Sequence, residues 1–203
     1  DPTHHRAWTN LGSSFKALGM VEQAVVPLEQ AVALAPNFAD AQWNLGLTYL
    51  TLGQFEKGWE LYEWRRKISD IPIMDFEGPS WMGEQLPGKT LLVHAEQGLG
   101  DTFQFTRFLK QARERVGLLI FLCPRPLVAV LGSIEGPDVI LPKEDIGVDF
   151  DVQLPLMSLP HILGLGERLS GGSSYLNASL PLQRHWKGRL QELGGTAVGL
   201  CWQ

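Results

Sequence analysis

At 203 residues the chain has room for one or two domains, and a content of 44% hydrophobic and 9% aromatic residues is ordinary for a globular protein. Its net charge of −5 argues against a general nucleic-acid binder, whose phosphate contacts need clustered Lys and Arg. Apolar runs such as 91–93 and 118–122 fall far short of a bilayer's thickness, so no membrane span is expected.

The chain opens on a repeat. Ala7-Trp8-Thr9-Asn10-Leu11-Gly12 recurs as Ala41-Gln42-Trp43-Asn44-Leu45-Gly46 with a spacing of 34 residues, the mark of a stacked helical array. Trp8, Leu11, Gly12, Phe15, Ala24, Leu28, Ala31 and Pro36 fall on the pattern of the tetratricopeptide repeat, and Leu45, Gly46, Tyr49, Gly53 and Phe55 begin a second copy. Asp1-Pro2 reads as the tail of an earlier repeat, so the array over 1–67 is expected to begin in mid-course. The spacing predicts helices over 5–17, 21–34, 39–51 and 55–67, turning at Gly19 and Gly53, where a residue free to take positive φ is favoured. The second copy decays: Gly58, Tyr62 and Arg65 stand where the first has Ala24, Leu28 and Ala31. Terminal repeats are atypical because one face meets something else, and docking onto the following domain is expected over RNA stacking.

Residues 68–89 read as a linker rich in Pro and Gly, and then the period changes. Strands are predicted over 90–95, 117–122, 138–141 and 151–154, with helices over 101–115, 125–133, 156–164 and 181–193. This alternation is the βαβ pattern of a Rossmann-like parallel sheet covered on both faces, here a half-domain over 90–195. Thr196 to Trp202 reads as one more buried strand, expected to be the first of a second α/β half over 196–203. The two cysteines, Cys123 and Cys201, are placed at strand ends, where they form neither a disulfide framework nor a metal site. A reducing, cytoplasmic setting is expected.

Two motifs compete for chemistry. Gly83-Glu84-Gln85-Leu86-Pro87-Gly88-Lys89-Thr90 spells the phosphate-binding loop, but that loop needs a strand before it and a helix after it, whereas here a strand follows. His94-Ala95-Glu96-Gln97-Gly98-Leu99-Gly100-Asp101 lies where the first strand turns into a helix, the place where open α/β sheets bind ligands. Asp101 there can take a proton from a hydroxyl as a general base. The plain alternative is an N-cap, with Gln104 at the third helical position, and His94 is equally readable as a satisfied strand-end histidine. His94, Glu96 and Asp101 do not have a metal-ligand spacing, so no metal is expected.

With these residues in place, 58–202 resembles the C-terminal region of bacterial tetratricopeptide-repeat glycosyltransferases related to the heptosyltransferases. The likeness rests on Gly58-Trp59, Leu61 to Arg65, Pro79 to Gly83, Gly88 to Asp101 and Pro155 to Pro160. It implies the first half of a GT-B arrangement, with Asp101 as the base and His94, Gln97, Gly98 and Gly100 around the sugar acceptor. The donor it implies is a UDP- or ADP-sugar held by the other half, with no cofactor bound by this chain itself. The repeats are also similar to those of O-GlcNAc transferases, which implies a peptide held through Asn10 and Asn44, whose amides both donate and accept. The competing expectation is a non-catalytic repeat module that binds a protein and carries an inactive α/β remnant.

Overall fold

The computed structural model describes residues 2–196 except 72, 75, 146 and 166–173, together with 198 and 199. Its first four helices are α1 (His5–Ala17), α2 (Val21–Leu34), α3 (Ala39–Thr51) and α4 (Phe55–Tyr62), antiparallel in pairs. Both pairs turn alike. Gly19 and Gly53 take φ 75°, and the next N–H reaches back five residues, Met20 to the Phe15 carbonyl at 2.9 Å and Gln54 to that of Tyr49 at 2.8 Å. Glycine at position 12 and at position 46 lets each pair close: a Cβ at Gly12 would lie 2.5 Å from Leu28 Cγ, and one at Gly46 would lie 2.9 Å from the Tyr62 backbone nitrogen.

The predicted helix over 55–67 changes winding after Tyr62 and finishes as a 3-10 turn, Glu63–Lys67. In that turn Arg65 is fully buried rather than solvated. The segment then expected as a linker is partly structure. Pro79 to Trp81 runs beside a strand, with Trp81 N–H donating to the Gln153 carbonyl at 2.9 Å and Trp81 itself buried.

Four strands follow, β1 (Leu86–His94), β2 (Val116–Cys123), β3 (Val139–Pro142) and β4 (Val152–Pro155), in the order β3-β2-β1-β4 and parallel throughout. β1 begins earlier than the sequence suggested because the Leu86 N–H donates to the Arg115 carbonyl at 2.7 Å. The predicted helix 101–115 is two helices, α5 (Leu99–Thr106) and α6 (Leu109–Arg113). The Thr106 hydroxyl donates back to the Phe103 carbonyl at 2.8 Å, and the break lets both Phe105 and Phe108 enter the core. α7 (Arg125–Leu131) lies between β2 and β3; after β4 come a short 3-10 turn and α8 (Leu159–Ile162), where one longer helix was expected.

One face of the sheet, carrying Leu91, Val93, Leu119, Phe121 and Leu154, packs on α5, α6 and α7. Trp59 and Tyr62 of α4 belong to this same core, so the repeats and the sheet share one apolar interior. The other face carries Leu92, Ile120 and Leu122, covered by Phe76, Val148 and Phe150 from non-helical segments rather than by a helix. Beyond the core, α9 (Leu180–Leu193) buries none of its residues. Of the strand expected over 196–203, Thr196, Val198 and Gly199 are exposed and outside any strand; Cys201 and the other residues lie outside the described residues.

Candidate functional site at the end of the first strand

β1 is the switch point of this sheet: the chain leaves it for β2 on one side and returns to β4 on the other. Ligands of open α/β sheets bind in the crevice outside such strand ends. The segment that follows β1, Ala95 to Asp101, sits there.

Asp101 is not the N-cap. Gly98 is, and Asp101 stands at the third position of α5, where its Oδ2 accepts the Gly98 N–H at 3.1 Å. The Gly98 carbonyl in turn accepts the Thr102 N–H and hydroxyl, each at 3.0 Å. This is the reciprocal half of a capping box, with glycine in place of Ser or Thr. Among the described residues Asp101 Oδ1 has no partner, and the group is half-buried. Gln97, Gly98 and Gly100 are exposed around it, and a Cβ at Gly100 would meet nothing within 4 Å. Gln97 takes φ 60°, a left-handed backbone that residues with a side chain rarely adopt. Four of the five residues expected at the strand end, Gln97, Gly98, Gly100 and Asp101, thus share one turn.

His94 goes elsewhere. Its side chain faces the second side of the sheet, fully buried, with Nε2 at 3.2 Å from Gln153 Oε1 and the ring 5.0 Å from that of Phe76. Burial pushes its pKa down to about 4, the Arg66 and Arg65 charges add to that, and the Gln153 bond opposes them. A neutral ring sealed from solvent does not line an acceptor site, and the expectation of a substrate-binding His94 is set aside.

Sequence reasoning missed Glu96. Its carboxylate is buried with Arg65, whose Nη2 lies 2.6 Å from Oε1 and Nε 3.3 Å from Oε2. Oε1 also accepts the Met157 N–H at 3.1 Å. Arg65 is completed by Glu63 at 2.6 Å and the Ser158 hydroxyl at 2.8 Å. Burial alone would lower the pKa of this guanidinium, but Glu63 and Glu96 outweigh it and hold it above its usual value. The signal was present in the repeat register, where Tyr62 and Arg65 replace Leu28 and Ala31. Among the described residues no three His, Cys, Asp or Glu side chains come together as a metal site, and no helix is long and apolar enough to cross a membrane.

The repeats carry a second feature. Arg6, Thr9, Asn10, Ser13, Phe38, Asp40 and Asn44 line a groove of about 420 Å³, which brings the two asparagines together. They are not equivalent. Asn10 is exposed, whereas Asn44 Oδ1 accepts from Lys16 Nζ at 3.3 Å and its Nδ2 donates to the Asp40 carbonyl at 2.9 Å. The Walker-like string is at the opposite end of β1 from the turn: Lys89 pairs with Asp151 at 2.7 Å, and no helix follows Thr90.

Residues 12–53 match the family described as TPR repeat. The chain is 28% identical to Protein FlbA of Caulobacter vibrioides over 225 aligned positions, which take in 98% of this chain and 37% of that protein. Among solved structures it is similar to a mutant O-GlcNAc transferase of Thermobaculum terrenum, at 19% identity and a TM-score of 0.32, over 69% of this chain and 28% of that one. The chain therefore spans well under half the length of either protein, and it consists of tetratricopeptide repeats joined to a four-stranded parallel α/β sheet.

Proposed function

We propose that this chain is the repeat-bearing, acceptor-side part of a bacterial, cytoplasmic glycosyltransferase of the GT-B kind. The observation that carries the reading is the exposed turn Gln97 to Asp101 at the switch point of the sheet, with a carboxylate oxygen of Asp101 left without a partner among the described residues. The motif resemblance of His94 to Asp101 supports the same reading. In it, Asp101 takes the proton of an acceptor hydroxyl as that oxygen bonds to the anomeric carbon of a UDP- or ADP-sugar. The bond from that carbon to the nucleotide diphosphate breaks, and the diphosphate leaves with the electron pair. A protein or peptide lies in the groove of Asn10 and Asn44, with Asn10 as the available amide.

The second reading, a binding module with an inactive sheet, is favoured by one fact: Asp101 Oδ2 is already used to close the start of α5. The two separate on Asp101→Asn in the full-length gene product, assayed for transfer from UDP- and ADP-sugars. Asn still accepts the Gly98 N–H but cannot take a proton, so turnover should drop on the order of 100-fold or more at unchanged melting temperature. Turnover at the parent rate would reduce Asp101 to a helix-closing residue.

A further inference from the structure

The last turn of the array reaches the strand-end turn at three points. Tyr62 Oη accepts from Gln97 Nε2 at 3.0 Å, Arg65 grips the Glu96 carboxylate with two nitrogens, and the Trp59 ring stands edge-on to Phe105 of α5, with centroids 5.6 Å apart. Glu96 and Gln97 immediately precede the Gly98 cap. One of them is pinned by a buried ion pair and the other is held in a left-handed backbone. In the first repeat the corresponding positions are Leu28 and Ala31, which pack within the array.

We infer that Tyr62 and Arg65 are positioning residues for the Gly98–Asp101 turn: the end of the array, not the sheet alone, sets the backbone geometry that presents Asp101. The physical argument is local. A left-handed backbone disfavours any residue that bears a Cβ, so Gln97 needs a compensating contact, and its side-chain amide finds one on Tyr62. Glu96 cannot leave its place without stranding a buried charge on either side of the pair. Both anchors lie more than thirty residues away in the chain, so the turn's shape is a property of how the array docks. The inference rests on reading this turn as the working end, and its test reads the turn's geometry, so its failure is distinct from a failure of that reading.

Backbone hydrogen exchange in the full chain tests it, because the Gly98 and Thr102 amides both carry hydrogen bonds within the turn. Tyr62→Phe keeps the ring and removes the hydroxyl. Exchange of these two amides should rise about two- to ten-fold, the equivalent of one hydrogen bond, while amides of α1 and α2 keep their rates. Adding Gln97→Gly, which takes positive φ unaided, should restore protection of both amides. A merely structural hydroxyl would not be rescued in this way. Arg65→Lys keeps the charge but loses the two-pronged grip, and it should speed exchange at Gly98 and Thr102 as well as at Met157, whose N–H shares Glu96 Oε1. Parent rates at Gly98 and Thr102 in Tyr62→Phe, or a double variant as fast as the single, would overturn the role of Tyr62; parent rates at Gly98 and Thr102 in Arg65→Lys, whatever Met157 does, would overturn that of Arg65. The transfer assay on Asp101→Asn stands apart from these rates, so either idea can be lost alone.

Discussion

His94 and Asp101 lie seven positions apart and show two fates for a polar side chain at a strand end. The imidazole is sealed against Phe76 and Gln153, so charging it in the folded chain is costly, and its pKa falls from the ordinary 6.5 to about 4. Between those values the unfolded chain binds more protons on this ring than the folded one, so stability falls as the pH drops through that window. Above about pH 6.5 the ring is neutral in both states and this stability is fully present. On the order of 2 to 3 kcal/mol should be lost between pH 7 and 4.5, and His94→Gln should remove most of that difference. Urea titrations of both forms at the two pH values read it directly; an equal loss in parent and variant would mean that the ring titrates freely when folded. Asp101, by contrast, is half-buried and closes its helix from the third position; the sequence reading placed the cap three residues too late, at Asp101 rather than Gly98. Glycine is an acceptable cap but carries no capping side chain, so the letters favoured Asp101 over Gly98.

Between elements, the glycines of the repeat set how closely helices approach. A Cβ at Gly46 would press on the backbone of Leu61 and Tyr62, which cannot swing aside as a side chain can. Gly46→Ala should therefore cost about 1 to 3 kcal/mol, whereas Gly88→Ala, with nothing within 4 Å, should stay within about 0.5 kcal/mol. Thermal melts of the two variants are the check, and equal losses would remove close packing as the reason for the glycine. This periodicity made α1, α2 and α3 legible to the residue, because each helix repeats one packing problem with one solution. What stayed hidden was decided across the chain: the tightening after Tyr62 accompanies an ion pair spanning 31 positions, and the break after Thr106 lets two phenylalanines enter one core. At the candidate site, the strand-to-helix position and the residues Gln97 to Asp101 were readable from letters. The burial of His94 was not, since the pleat alternates faces and only the sheet's outer cover decides which face is dry.

Across the whole molecule the continuity of the core matters most. Repeat arrays are ordinarily sums of units and neighbour contacts, free to fray from either end. Here Trp43, Leu47 and Leu50 of α3 pack against the cluster that holds Trp59, Tyr62 and the sheet residues Leu91, Val93 and Phe121. Helical circular dichroism and tryptophan fluorescence should therefore trace one coincident urea transition. Trp59→Ala should move both traces together by about 3 to 5 kcal/mol. Separate midpoints, with the helices outlasting the sheet, would show two independent bodies. The shared interior also has a mechanical consequence. Under a pulling load applied through α1, the first repeat, which meets the second through the small cluster of Ala24, Leu28, Leu45 and Tyr49, can peel away turn by turn. The last repeat is tied to the α/β part through Trp59 on Phe105, Tyr62 on Gln97 and the buried Arg65–Glu96 pair, so load reaching it must rupture these contacts together. The array is a soft spring riveted at one end to the α/β part, and a tug on the first repeat is delivered to the strand-end turn through that rivet.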